Sequence, residues 1–236
     1  MESNFLILIL LIELVMLVTV SAPLFFAGRF DSHPDIGMAL WFFSLMAAIL
    51  ATVGAFGLAT WSIFETWLRL SESADLGFTI IASFAPWLLL ALAGVLLALV
   101  NQRLSPMFRA AKDIDVLANL VSREVMTHRG IQVMELDIPG YFAVSRNKKI
   151  YLSKAAFRLP QRQLDAILRH EMGHIKLNHE SVKRFAYLIY SLLPWFAASR
   201  ALKFEVERLC ELSADKYALK KVYSRDLYEA RGLFTN

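Results

Sequence analysis

Cysteine is nearly absent from this 236-residue chain: Cys210 stands alone. That excludes an intramolecular disulfide framework and fits a reducing compartment for the part that carries it. Charge is scarce over the first 100 residues, which hold nine charged side chains against 37 in the remainder. The N-terminus lacks the basic stretch of a secretory signal and no A-x-A cleavage pattern follows its apolar run, so the run is expected to stay as an anchor. Internal repeats and low-complexity tracts are missing as well.

What is present is apolar: 57% of the residues, with a mean hydropathy of +0.47. This is too apolar for an ordinary soluble domain, and the aromatic and branched content excludes disorder. A hydrocarbon core about 30 Å thick needs roughly 20 apolar residues in a helix. Three segments qualify, at about 5–28, 36–64 and 76–100, and the last two contain no charged residue. The expected fold class is therefore an α+β membrane protein. Residues 1–102 form a bundle of three transmembrane helices, followed over 103–236 by a mostly helical, zincin-like domain with a small β-sheet. Glu13 falls near mid-membrane in the first span, where a carboxyl is expected to face the bundle interior.

The charge balance divides at the same place, −5 before residue 101 and +9 after it. A basic domain beside a membrane meets anionic headgroups, which points to a lipid bilayer as partner and away from nucleic acid. Arg103, Arg109 and Lys112 flank the third span. By the positive-inside rule the polar domain is expected in the cytoplasm and the N-terminus outside the cell membrane.

Within 103–236, apolar residues at helical spacing predict a helix from Ser105 to about His128, ended by Gly130. Runs at 131–136, 141–144 and 150–152 predict a small sheet with a hairpin around Ser145 to Lys149. Pro160 marks a helix start. Uncharged residues 185–199, bracketed by Arg184 and Arg200, are short for a span and read as a buried or membrane-skimming helix. A last helix is expected over 201–219.

The helix after Pro160 carries His170-Glu171-Met172-Gly173-His174. In this H-E-x-x-H form two histidines four apart project from one helical face and can grip one metal ion, with Glu171 beside the open coordination position. Glu211 precedes Asp215 by one helical turn. It can complete a His, His, Glu set while Asp215 accepts a ring N–H and fixes the tautomer. Three ligands leave room for water, which is the catalytic arrangement for Zn²⁺. Cys210 points about 100° away from Glu211 on a helix and reads as a packing residue. His179, rotated off the ligand face on a continuous helix, reads as a cationic residue at a helix end.

At these residues the chain resembles the membrane-anchored gluzincin peptidases that include HtpX and the CAAX prenyl proteases. The resemblance runs from Ile150-Tyr151-Leu152-Ser153 through His170 to His179 and the Glu211-x-x-Ala214-Asp215 signature. It is similar too to the beta-lactam sensor-transducer peptidases around Leu193-Pro194-Trp195 and the run Arg200 to Glu211, although that group has a Cys-Asp pair where this chain has Ala214-Asp215. Both resemblances imply zinc on His170, His174 and Glu211, Glu171 as base and Asp215 as orienting residue.

The expected function is a membrane-bound zinc endopeptidase acting on protein or peptide substrates in or near the membrane. A receptor or scaffold that keeps the zinc fold without catalysis is the alternative. An extended substrate is expected to pair with an edge strand at 149–153, through Ile150, Tyr151 and Leu152. Tyr217, Tyr223 and Arg225 are the candidates for a donor to the tetrahedral oxyanion, and the sequence does not choose among them.

Overall fold

The computed structural model describes residues 2–71, 98, 100–102, 104–106, 109–110, 112–114, 116–118 and 120–234. Two long helices open it, α1 (Glu2–Phe26) and α2 (Pro34–Ser71). At about 1.5 Å per residue each exceeds the hydrocarbon thickness of a bilayer. Their windows at Ile9–Phe26 and Pro34–Trp61 have mean hydropathies of 2.4 and 2.1. Among the described residues these two helices are long and apolar enough to cross a membrane, and they fit a membrane-anchored chain. The third expected span, at 76–100, lies almost wholly outside the described residues.

Glu13 is exposed, contrary to the expectation that it faces inward. The reason is helical phase: Leu11 turns its Cδ1 toward Gly54 of α2. Glu13, two residues on, sits about 200° further round and faces away.

The described residues between 98 and 121 are helical, but the helix does not reach His128. Ser122–His128 is instead strand β1, hairpinned onto β2 (Ile131–Leu136). Arg129 and Gly130 both have positive φ, 52° and 81°, the requirement of the two-residue turn that matches strand twist. A second such turn, Asn147 and Lys148 at φ 50° and 61°, joins β3 (Ala143–Arg146) to β4 (Lys149–Ser153). The sheet order is β1-β2-β4-β3, with β2 and β4 parallel and the outer pairs antiparallel.

This order corrects the expected edge strand. β4 pairs on both sides, and Ile150, Tyr151 and Leu152 are buried. The end strand beside the site is β3, which among the described residues pairs with β4.

A single 3₁₀ turn leads to α3 (Gln161–Lys176), which begins directly after Pro160. Its Leu164, Ile167, Leu168 and Met172 pack on Val133, Ile150 and Leu152 of the sheet. Helices α4 (His179–Leu192), α5 (Ala197–Leu219) and α6 (Ser224–Phe234) follow. Residues 185–199 do not form one helix: α4 stops at Leu192, Leu193 to Phe196 make a turn, and α5 starts at Ala197. Pro194 disfavours helical backbone at the residue before it and has no N–H to give.

A second core fastens the long helices to this domain. Ala22 of α1 and Trp41 of α2 pack with Ala186 of α4 and Leu202, Val206, Leu209 and Cys210 of α5. Polar ties run beside it: Arg208 pairs with Asp31, Ser213 donates to Asp35 at 2.7 Å, and Lys216 donates to the Ser32 carbonyl at 3.1 Å. The loop joining α1 to α2 is therefore tied directly to α5 of the domain.

Candidate metal centre

Helices α3 and α5 approach so closely at Gly173 that any side chain there would be crowded. A Cβ there would lie 3.0 Å from the Ala214 Cα and 3.2 Å from its carbonyl oxygen. This contact sets Glu211 and Asp215 of α5 opposite His170 and His174 of α3. Because the obstruction is backbone, Gly173→Val is expected to force the helices apart at a cost of about 1–3 kcal/mol. A lowered melting temperature together with weaker zinc binding checks this; unchanged values of both would contradict it.

The structure brings the three expected ligands together: donor atoms of His170, His174 and Glu211 lie within 4.8 Å of one another. The His170 Nε2 is 3.1 Å from the His174 Nε2 and 3.3 Å from Glu211 Oε2, and His174 Nε2 is 3.4 Å from Glu211 Oε1. Both rings are held from behind. Asp215 Oδ1 lies 2.8 Å from His170 Nδ1, and since a carboxylate only accepts, the Nδ1–H donates and Nε2 is the ring nitrogen turned toward Glu211 and His174. The Nδ1 atoms of His174 and His179 are 2.9 Å apart. With His174 donating there, its Nε2 likewise faces Glu211, and the second ring nitrogen of His179 is its Nε2. That Nε2 is buried without a hydrogen-bond partner.

His179 thus differs from its reading as a cationic helix end. Asn178 takes the left-handed conformation, φ 55°, one of the few non-glycine residues that does so readily. The chain breaks between α3 and α4 and returns His179 to the second histidine. Burial, then the neighbouring His174 and Lys183, lower its pKa to about 4, so it is neutral at physiological pH.

The charges around the donors are matched. Burial alone would raise the Glu211 carboxyl, but hydrogen bonds from His170, His174 and Lys183 outweigh it and hold it well below the usual carboxylate range. Lys183 Nζ lies 2.8 Å from Glu211 Oε1. His170 is also buried, which opposes its protonation, yet Asp215 and Glu211 prevail and raise its pKa to about 9. Arg231 of α6 was not foreseen from sequence: it donates to Asp215 Oδ2 and, at 3.3 Å, to Glu211 Oε2, gripping both carboxylates. No nearby motif signals it; only the packing of α6 brings it in.

Glu171, 6% exposed, lines the same pocket of about 390 Å³, whose far wall is the β3 edge from Ala143 to Arg146. Cys210 contributes nothing there. It is buried against Met38, and burial pushes its thiol up to about 12. The three oxyanion candidates do not line the pocket either. Tyr223 is exposed, Arg225 pairs with Glu229 at the surface, and Tyr217 packs on the core behind Gly173.

Two imidazoles and a carboxylate converging beside an open sheet edge make the class a metallopeptidase. The family comparison makes this specific: the model for peptidase family M48 matches residues 114–235, just over half of the chain, and the chain belongs to that family. Peptidases of this family are zinc-dependent. Comparison with curated proteins and with solved structures returned no significant match.

The outer shell leads to a measurable consequence. His179→Phe removes the acceptor that orients His174, and loss of such a partner weakens metal binding by about 10–100-fold. The pH dependence has a definite sign. A histidine with pKa about 4 in the folded protein and about 6.5 unfolded adds stability that is complete above pH 6.5 and disappears as pH falls through 4. The metal-free wild type is therefore expected to lose more thermal stability than His179→Phe over that window, measured by melting at stepwise pH.

Proposed function

We propose that this protein is a membrane-bound zinc endopeptidase that cleaves protein or peptide substrates at or near a membrane. The observation that carries the reading is the convergence of His170, His174 and Glu211 with Glu171 buried in the same pocket.

The donor set suits zinc: two imidazole Nε2 atoms, which give up any proton on binding a metal, and one carboxylate, with no thiolate, leaving a coordination position open. Zinc held by His170, His174 and Glu211 would supply a water acidified to a pKa of about 7 and a Lewis acid for a peptide carbonyl. Glu171 takes a proton from the attacking water and later returns it to the leaving amine. Asp215 and His179 keep the imidazoles in the tautomers that ligation needs, and Arg231 steadies both carboxylates. Lys183, within the pocket, is the cation nearest Glu211 and replaces the three downstream candidates as a donor to developing negative charge.

Substrate enters extended along β3, whose outer edge is unpaired by any other strand of the sheet. Main-chain pairing there gives affinity with tolerance of varied side chains. The ties from Asp31, Ser32 and Asp35 to α5 hold the pocket near the membrane-length helices, which favours membrane-proximal substrates. The basic residues Arg103, Arg109 and Lys112 support a cytoplasmic position for this side.

Turnover of casein by the purified chain in detergent, with and without a chelator, tests the proposal. Activity that disappears with chelation and returns with zinc is expected. Full activity in the chelated, metal-free protein would refute it.

A further inference from the structure

A second cavity, of about 450 Å³, lies between α1, α2 and the turn that joins α4 to α5, and shares no lining residue with the metal-centre pocket. Its floor is Ala22, Trp41, Ala48 and Leu202, all buried. Its rim is Ile49, Val53, Leu193 and Phe196, all exposed, so it opens sideways onto the apolar outer face of the long helices.

Four hydroxyls occur in the wall, and each donates to its own local backbone. Thr19 bonds to the Val15 carbonyl at 2.7 Å, Ser44 to Trp41 at 2.9 Å, Thr52 to Ala48 at 2.8 Å and Ser199 to Phe196 at 2.8 Å. An extended peptide would bury its amides here against groups already committed elsewhere, at a cost of several kcal/mol for each unmet group. A helix about 10–12 Å wide over the same length would need roughly three times the volume. Hydrocarbon carries no such penalty.

The dimensions agree. From Trp41 to Val53 the wall runs twelve residues of α2, about 18 Å, and one leaflet contributes about half of a 30 Å hydrocarbon core. We propose that this cavity holds one acyl chain of a membrane phospholipid, wedged between the membrane-length helices and the start of α5. The inference rests on α1 and α2 lying in a bilayer. A chain seated there fills the space beside the helix that carries Glu211 and Asp215, making lipid part of the scaffold that positions the site.

The test is photolabelling of the full chain in vesicles of phosphatidylethanolamine and phosphatidylglycerol doped with phosphatidylglycerol bearing a diazirine in its acyl chain. Adducts are mapped by mass spectrometry. Leu17 and Leu50 point outward and report contact with the bilayer, whereas Leu202 reports entry into the cavity. Adducts at all three are expected, and Ala48→Leu, which fills the floor, should abolish those at Leu202 while leaving Leu17 labelled. Ala198→Leu, on the opposite wall, serves the same purpose if the first variant does not fold. Labelling of Leu17 and Leu50 with none at Leu202, or label at Leu202 that survives both filled variants, would overturn the proposal. Label at none of the three overturns it through the membrane reading instead.

Discussion

Glu171→Gln is expected to lower peptide turnover by about 10²–10⁴-fold, the usual contribution of a positioned general base, while zinc content stays at one per chain. The substitution keeps the size and leaves an amide that accepts no proton at neutral pH. Glu171 is not among the three converging donors, so the metal site should survive intact. It sits 6% exposed on α3 between the two histidines, in the pocket they line, which leaves proton transfer as the function removed. Paired measurement of kcat on casein and of zinc by elemental analysis checks both halves. Turnover unchanged in a zinc-loaded variant would assign the base elsewhere and revive the reading of a zinc fold kept for binding.

Glu211→Ala is expected to weaken zinc binding by more than about 100-fold, beyond the range typical of changes in outer-shell partners, and to remove activity with it. Two effects combine. One of three donors is lost, and the negative charge that Lys183 and Arg231 both contact is lost with it, so positive charge faces the imidazoles with one carboxylate fewer. Asp215→Asn provides the calibration: it retains all three donors and is expected to stay within about 10–100-fold. Equal losses in the two variants would mean that Glu211 acts only as a support for His170. Titration with a chromophoric zinc competitor separates the cases.

The parts of this centre that sequence conveys are those governed by a single helix. His170 and His174 share a face because they are four apart, and Glu211 and Asp215 do so on α5 for the same reason. The long helices were legible from composition, since apolar length alone identifies them. Features that depend on how separate pieces meet were not. His179 joins the shell because Asn178 breaks the helix in a left-handed turn, which spacing on a continuous helix cannot convey. Arg231 arrives from α6, sixteen residues after the carboxylate it grips.

The sheet gives the same lesson. Ile150, Tyr151 and Leu152 are a short apolar run that reads as a strand and is one, but β4 pairs in parallel with β2 and so lies inside. Strand identity is local, whereas strand order follows from tertiary packing. β1 was hidden by the helical periodicity that runs up to Val121. The local marker was Arg129-Gly130, a two-residue turn signal placed between two β-rich stretches.

The central claim is that His170, His174 and Glu211 share one zinc ion. X-ray absorption at the zinc edge of the purified full-length chain tests it most directly. Nitrogen and oxygen scatterers at about 2.0–2.2 Å, with two imidazole signatures and one zinc per chain, are the predicted result. A sulphur scatterer near 2.3 Å, which only Cys210 or a methionine could supply, or the same spectrum from Glu211→Ala, would contradict it.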